Sequence, residues 1–315
     1  MVRIFNVLIY GIGNIGKSYL KGLLNSKYNL NIYTYDIQKS SCKIILRKNK
    51  KKIFNFYKLN QLPRKIDLCI ISTTSDNKIN QIKKIFNYTY PKNFILEKLI
   101  AQSSFEIDQI NKFLKEKKTN VWVNTQMRTY SFYKKLKKYI SKKKISSIKV
   151  YGNDWGLACN AIHYMDVYSW ILNTDINTIS IKTSDKKFHK SKRNGYLEFF
   201  GNVQVNFKNQ TKMKIICKKL NKPGKIKHII CHKNEKIYFN ESDELIFNTS
   251  GKLSIKANQK MIFQQINYFM SKIVKKQRLD LPEIEYSSEI HKKFFSAINL
   301  NFFGSDLKKR KLKIT

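Results

Sequence analysis

The sequence predicts an α/β protein in two parts: a doubly wound parallel sheet, then an α+β domain on a mostly antiparallel sheet. Three observations predict it. Short apolar runs alternate with helical patterns as far as residue 124, a glycine-rich turn closes the first run, and strand-like segments joined by short polar turns follow. Alternating strands and helices form a parallel sheet covered on both faces, whereas closely spaced strands pair antiparallel. A chain of 315 residues can build two cores. The expected domains are 1–124 and 125–315, with the last helices packing back on the first.

In order, Val7–Tyr10 is a short apolar run ended by glycine, as a strand buried on both faces should be. Ile15, Tyr19, Leu20, Leu23 and Leu24 recur at helical spacing. Leu30–Tyr35, Asp67–Ser72, Asn93–Leu96 and Asn120–Asn124 read as further strands, with helices over Asp76–Phe86 and Ser104–Lys115. In the second part, strands are expected at Ser147–Asn153, Thr178–Thr183, Gly195–Phe207, Lys212–Cys217, His228–His232, Lys236–Asn240 and Glu244–Asn248. Two helices, Gln259–Lys275 and Ser287–Asn301, close the chain.

The net charge of +41 suggests a polyanion binder, because cationic side chains displace counterions from phosphate backbones. The composition points elsewhere. Only seven of the 62 basic residues are Arg, the residue suited to bidentate phosphate and base contacts, and the Lys are spread along the whole chain. Lys, Asn, Ile, Tyr and Phe are the types A/T-rich codons encode, so the bias reads as genomic and no specific nucleic-acid partner is expected. Five cysteines, an odd number with no C-x-x-C pair, indicate neither a disulfide framework nor a zinc site and fit a cytoplasmic protein. No run approaches the ~18 apolar residues of a membrane span.

Gly11-Ile12-Gly13-Asn14-Ile15-Gly16 fits the dinucleotide fingerprint G-x-G-x-x-G. Its first glycine permits a tight turn, its second lets the backbone approach a pyrophosphate, and its third lets helix and strand pack closely. The residues from Gly11 to Gly16-Lys17-Ser18 also satisfy the P-loop pattern, in which Lys17 would hold phosphates and Ser18 magnesium. Three features favour the dinucleotide reading. Asp36 ends the second strand 20 residues beyond Gly16, where a carboxylate binds ribose hydroxyls. Ile12 and Ile15 suit packing better than wrapping phosphates, and no strand reads as four apolar residues followed by Asp. The cofactor expected is NAD or NADP, with NAD favoured because Asp36 would repel a 2′-phosphate.

Glu97 and Lys98 follow an apolar strand, where ligands bind in open α/β sheets. Taken alone, this is two charged residues in a lysine-rich chain. With the glycine turn, Asp67–Asp76, Glu97-Lys98, Asn124 and Arg128, His163 and Asp166, and Leu281-Pro282, the order of motifs resembles the Gfo/Idh/MocA oxidoreductases over nearly the whole chain. The resemblance implies a nucleotide-binding Rossmann domain, a C-terminal open-faced sheet through which members often assemble as homo-oligomers, and sugars or polyols as substrates. Gly11, Gly13, Asn14, Ile15, Gly16, Asp36, Thr73, Glu97 and Lys98 are then the expected cofactor residues. Arg128, Trp155, Asn160 and His163 are expected at the substrate, with Lys98 and His163 catalytic. A histidine near its ordinary pKa can take the hydroxyl proton that hydride transfer releases.

The chain departs from the family pattern twice. Leu99 stands where the motif has proline, and Cys159 where a carboxylate often precedes the histidine. The stretch Asn153–His163 is similar to a subgroup in bacterial polysaccharide biosynthesis. An NAD(P)-dependent sugar or nucleotide-sugar oxidoreductase is the expected function. A non-catalytic NAD(P)-binding sensor or regulator and a P-loop NTPase are the alternatives.

Overall fold

In the computed structural model the described residues are 3–38, 52–56, 58–183, 185–241, 246–249, 251–253 and 262–315. Cys42 and the expected starts of a strand at Glu244 and a helix at Gln259 lie outside them. The chain divides into two compact units. One comprises Met1–Ala101, Glu106–Asn124 and Lys260–Glu285, the other Gln102–Phe105, Thr125–Gln259 and Tyr286–Thr315.

The first unit carries a six-stranded parallel sheet. Its elements begin β1 (Phe5–Tyr10), α1 (Asn14–Leu24), β2 (Leu30–Tyr35) and β3 (Lys52–Phe56). A short pair, β4 (Lys65–Ile66) with β6 (Tyr90–Pro91), stands apart from the sheet. Then come β5 (Leu68–Ile71), α2 (Lys78–Phe86), β7 (Asn93–Leu96), α3 (Ser104–Glu116) and β8 (Asn120–Val123). The spatial order is β3-β2-β1-β5-β7-β8, with every pairing parallel. Val7, Leu8 and Ile9 and all of Leu68–Ile71 are shielded from solvent, which is why these strands read as unbroken apolar runs. The chain winds outward from β1 in one direction, returns, and winds outward in the other from β5. Beyond the carboxyl ends of β1 and β5 lies the switch point at which such sheets bind ligands.

A later helix, α6 (Ile262–Val274), returns to this unit. Its Ile266, Phe269 and Met270 share one core with Val7, Ile9, Tyr19 and Leu23. The two helices touch closely at Gly22, where a Cβ would stand 2.2 Å from the carbonyl oxygen of Phe263. Only glycine allows that approach.

The second unit is an α+β domain. After α4 (Ser131–Ile140) come β9 (Ser147–Asn153), α5 (Leu157–Leu172) and β10 (Ile176–Thr183), then the short pair β11 (His189–Lys190) and β12 (Leu197–Glu198). Next are β13 (Gly201–Phe207), β14 (Lys212–Lys218), β15 (Lys227–His232), β16 (Glu235–Asn240), β17 (Ile246–Asn248) and β18 (Gly251–Leu253). The eight-stranded sheet has the order β10-β13-β14-β9-β15-β16-β17-β18. Only β14 and β9 run parallel, so the sheet is mostly antiparallel. Val203, Val205, Met213, Ile215, Cys217, Ile148 and Val150 are buried, and the residues between them are largely polar. That period of two marks a sheet packed on one face. The stretch expected as one strand over Gly195–Phe207 is two, β12 and β13, separated at Phe199-Phe200. The last helix is α7 (Ile284–Phe303). Among the described residues, no helix is long and apolar enough to cross a membrane.

Candidate functional site

Two of the three glycines in the turn after β1 are each required by a different neighbour. Gly11 has φ +95°, and a Cβ there would lie 2.8 Å from Cγ2 of Thr73. At Gly16 a Cβ would lie 2.0 Å from the carbonyl oxygen of Gly11, so the first turn of α1 rests directly on the end of β1. Gly13 is the opposite case. It precedes α1, it is exposed, and a Cβ would meet nothing within 4 Å. No side chain caps α1 and no acidic residue lies in its first turn. The first amide N–H groups of a helix lack intrahelical acceptors, and the helix dipole adds positive potential there. A pyrophosphate fits this cradle, and a side chain at residue 13 would fill it.

Ile12 points inward and is buried, whereas Asn14 is exposed and Ile15 is half-buried against the core. The Ser72 hydroxyl donates to the carbonyl of Gly11 at 2.7 Å and ties the ends of β1 and β5 together. Asp36, just past β2, accepts the Ile12 N–H at 2.6 Å and the Gln38 N–H at 2.8 Å. Its carboxylate therefore stands against the glycine turn, where the sequence spacing placed it. Lys17 is exposed, and the Ser18 hydroxyl donates to the carbonyl of Asn14 within its own helix. The strand order matches the 3-2-1-4-5-6 pattern of dinucleotide-binding sheets.

Thr73 and Glu97-Lys98 follow β5 and β7, on the same carboxyl edge of the sheet. The Thr73 hydroxyl donates to Oε1 of Gln81 at 2.6 Å. Glu97 is buried and accepts hydrogen bonds from the Tyr19 hydroxyl at 2.6 Å and from Nδ2 of Asn124 at 2.7 Å. Burial and the adjoining Glu97 charge push the Tyr19 phenol well above its ordinary pKa, so its hydroxyl remains a donor. Lys98 is half-buried, and the Lys98–Leu99 peptide is cis. On either side of Lys98, the ammonium group of fully buried Lys78 donates to the carbonyls of Glu97 and of Leu99, the latter at 2.6 Å. Nothing in the sequence marks Lys78, since one lysine among so many looks like solvated surface.

The remaining expected residues lie in the second unit, around α5. Asn160 and His163 are three residues apart and so share a helix face. Both line a cavity of about 270 Å³ together with Gln126, Tyr130, Tyr133 and Glu241. Nδ2 of Asn160 donates to the carbonyl of Trp155 at 2.8 Å. Trp155 donates from its indole nitrogen to the carbonyl of Ile216 at 3.1 Å and packs edge-on to Tyr164. It does not line that cavity.

Arg128 does not line it either. Its guanidinium forks onto buried Asp166, with Nε to Oδ2 at 2.8 Å and Nη2 to Oδ1 at 2.7 Å. Thr125 donates a third bond to the same carboxylate. Burial pushes the Asp166 carboxyl above its ordinary pKa, and Arg128 and Thr125 work against that shift.

Two further acidic residues escaped sequence reasoning. Buried Glu198 accepts the N–H of Ala158 and that of Phe199, capping the start of α5. Glu241, just past β16, meets His228 of β15 and Tyr133 of α4. These partners are brought together by strand register and helix packing, for which no local pattern exists.

A comparison with curated proteins finds no match. Residues 5–125 match the model of the Gfo/Idh/MocA oxidoreductase family, described as an NAD-binding Rossmann fold. That match spans β1 to β8, and over this stretch the chain is similar to the family. The first unit carries the parallel, Rossmann-like sheet that this description names.

Solved structures extend the likeness in fold to nearly the whole chain. Scyllo-inositol dehydrogenase from Lactobacillus casei, solved with NAD(H) and scyllo-inositol, is 15% identical with a TM-score of 0.73, covering 96% of this chain and 98% of its own. UDP-N-acetylglucosamine 3-dehydrogenase from Acidithiobacillus ferrooxidans is 9% identical with a TM-score of 0.71, covering 92% and 95%. A super-repressor mutant of Gal80p from Saccharomyces cerevisiae is 15% identical with a TM-score of 0.76, covering 97% and 98%.

Proposed function

We propose that the chain is an NAD-dependent oxidoreductase that moves a hydride from a hydroxyl-bearing carbon, or in reverse to the matching carbonyl carbon, of a sugar, nucleotide-sugar or polyol-like substrate. The observation that carries this reading is the carboxyl edge of one parallel sheet, where the uncapped glycine turn, Asp36 and Glu97-Lys98 stand together in a stretch similar to the family's NAD-binding fold. The turn and the start of α1, with Gly11, Gly13, Asn14, Ile15 and Gly16, would hold the pyrophosphate. Asp36 would take the ribose hydroxyls and disfavour a 2′-phosphate, which supports NAD over NADP. Thr73 and Glu97 complete the assigned cofactor residues.

When bound, the nicotinamide supplies the hydride chemistry. The Lys98 ammonium is assigned to polarise the substrate oxygen, and His163 to take or return its proton. Asn160 and Trp155 are assigned to the substrate. Arg128, committed to Asp166 one helical turn beyond His163, is assigned to position that turn. The Asn153–His163 stretch supports a place in cytoplasmic synthesis of surface-polysaccharide sugars, and assembly through the open sheet face would make the protein a homo-oligomer.

A second reading is favoured by one observation. The same fold serves a Gal80p super-repressor mutant, and here Cys159 replaces a carboxylate often found before the histidine. In that reading the chain binds NAD(P) and sugar without turnover. Spectrophotometry of NADH formation across neutral sugars, polyols and nucleotide sugars separates the two. The oxidoreductase reading predicts reduction of NAD by at least one substrate. Firm NAD binding with no turnover across the panel would establish the sensor instead.

A further inference from the structure

The cavity beside α5 has a charge opposite to that of the chain around it. The protein carries 62 Lys and Arg against 21 Asp and Glu, yet among the described residues neither lysine nor arginine lines this cavity. Its ionisable walls are Glu241, His163 and three tyrosines, Tyr130, Tyr133 and Tyr164. Resting on the oxidoreductase reading above, we propose that Glu241 is a specificity residue: its carboxylate selects a substrate ring bearing hydroxyl donors and turns away one bearing a carboxylate.

The geometry holds Glu241 as a fixed acceptor. Oε1 accepts the Tyr133 hydroxyl at 3.2 Å and faces Nε2 of His228 at 3.3 Å. His228 is itself locked. It is buried, its Nδ1 lies 2.7 Å from the Tyr168 hydroxyl, and its ring stacks on Phe239 with centroids 4.3 Å apart. A side chain braced on both ring nitrogens and one face holds its partner in place without further ordering. Burial pushes the Glu241 carboxyl up, but the hydrogen bond and charge of His228, with the Tyr164 and Tyr133 hydroxyls, bring it below its ordinary value. Glu241 is therefore an anion at neutral pH.

An anion in a cavity discriminates in two directions. It accepts from the vicinal hydroxyls of a polyol or pyranose, and hydrogen bonds to charged groups are the stronger kind. It also repels a second carboxylate, which would need a cationic partner in the cavity. The nearby candidate for that partner, Arg128, already holds Asp166 through two bonds. A neutral polyhydroxylated ring is the class that fits, and a uronic acid is the class excluded.

Matched pairs test this on the full-length protein: glucose with glucuronate, galactose with galacturonate, and UDP-N-acetylglucosamine with its uronate. Binding is read by calorimetry, so turnover is not needed, and a separate NADH titration reports on the oxidoreductase reading. The wild type should bind the neutral member of at least one pair roughly tenfold or more tightly than its acid. Glu241→Gln keeps the size and removes the charge, and should bring that ratio close to one. Glu241→Asp keeps the charge and should retain the preference. Equal or tighter binding of the acid by the wild type, an unchanged ratio in Glu241→Gln, or binding of no member of any pair would overturn the proposal. Loss of NADH binding with the sugar preference intact would sink the oxidoreductase reading and leave the assignment of Glu241 standing.

Discussion

Lys98→Ala is expected to lower kcat by about 10²–10⁴-fold, the usual span for a proton-handling or polarising side chain. The dissociation constant for NADH should change by no more than about twofold, because the pyrophosphate and ribose contacts are assigned elsewhere in the same unit. Misfolding should not obscure this result. The backbone on both sides of Lys98 is held by Lys78, by Glu97 with Tyr19 and Asn124, and by burial of Leu99. None of these contacts uses the Lys98 side chain. Steady-state kinetics beside an NADH titration checks both halves. Unchanged kcat would remove Lys98 from the chemistry.

Arg128→Met is expected to cost about 3–5 kcal/mol of stability, the range for removing one partner of a buried ion pair. Asp166 is almost wholly buried, and in the variant its carboxylate loses the fork that compensates it. The sign with pH follows from the raised pKa of Asp166. A carboxyl whose folded pKa lies above its unfolded value favours folding when protonated, and that contribution fades as pH rises through the folded pKa. Without Arg128 the folded pKa rises further, so the deficit against wild type should be smallest at acid pH and grow toward neutrality. Urea unfolding across pH measures it, and Asp166→Asn in the Arg128→Met background should recover part of the loss. A cost below about 1 kcal/mol would mean that the ion pair does not bind Arg128 to this structural role and that it is available to substrate.

Where strands are buried on both faces, the sequence displayed them directly. Val7–Tyr10, Leu68–Ile71 and Phe94–Leu96 are unbroken apolar runs because no face meets water. β3 was missed. Among the described residues it pairs only with β2, and its Ile53-Phe54 core is short and sits in a lysine-rich stretch that reads as solvated. The glycine turn was legible because its constraints are local, including the 2.0 Å clash a Cβ at Gly16 would make with Gly11.

Lys98 and His163 were legible only through the order of motifs, since each is unremarkable where it stands. The residues that brace these positions could not be read at all. Lys78 reaches across 19 residues to Glu97, Glu198 across 40 to Ala158, and His228 across 60 to Tyr168. Spacing along the chain says nothing of what His228 touches. Strand pairing and helix packing decide what His228 does instead.

The cofactor and catalytic roles assigned above depend on the turn at Gly11–Gly16 holding a nicotinamide dinucleotide. Calorimetric titration of the purified full chain with NADH, NADPH and magnesium-ATP tests it most directly. Saturable NADH binding is expected, tighter than NADPH, weakened by Asp36→Ala and untouched by magnesium-ATP. Absence of nicotinamide nucleotide binding, or magnesium-dependent ATP binding that Lys17→Ala abolishes, would contradict it.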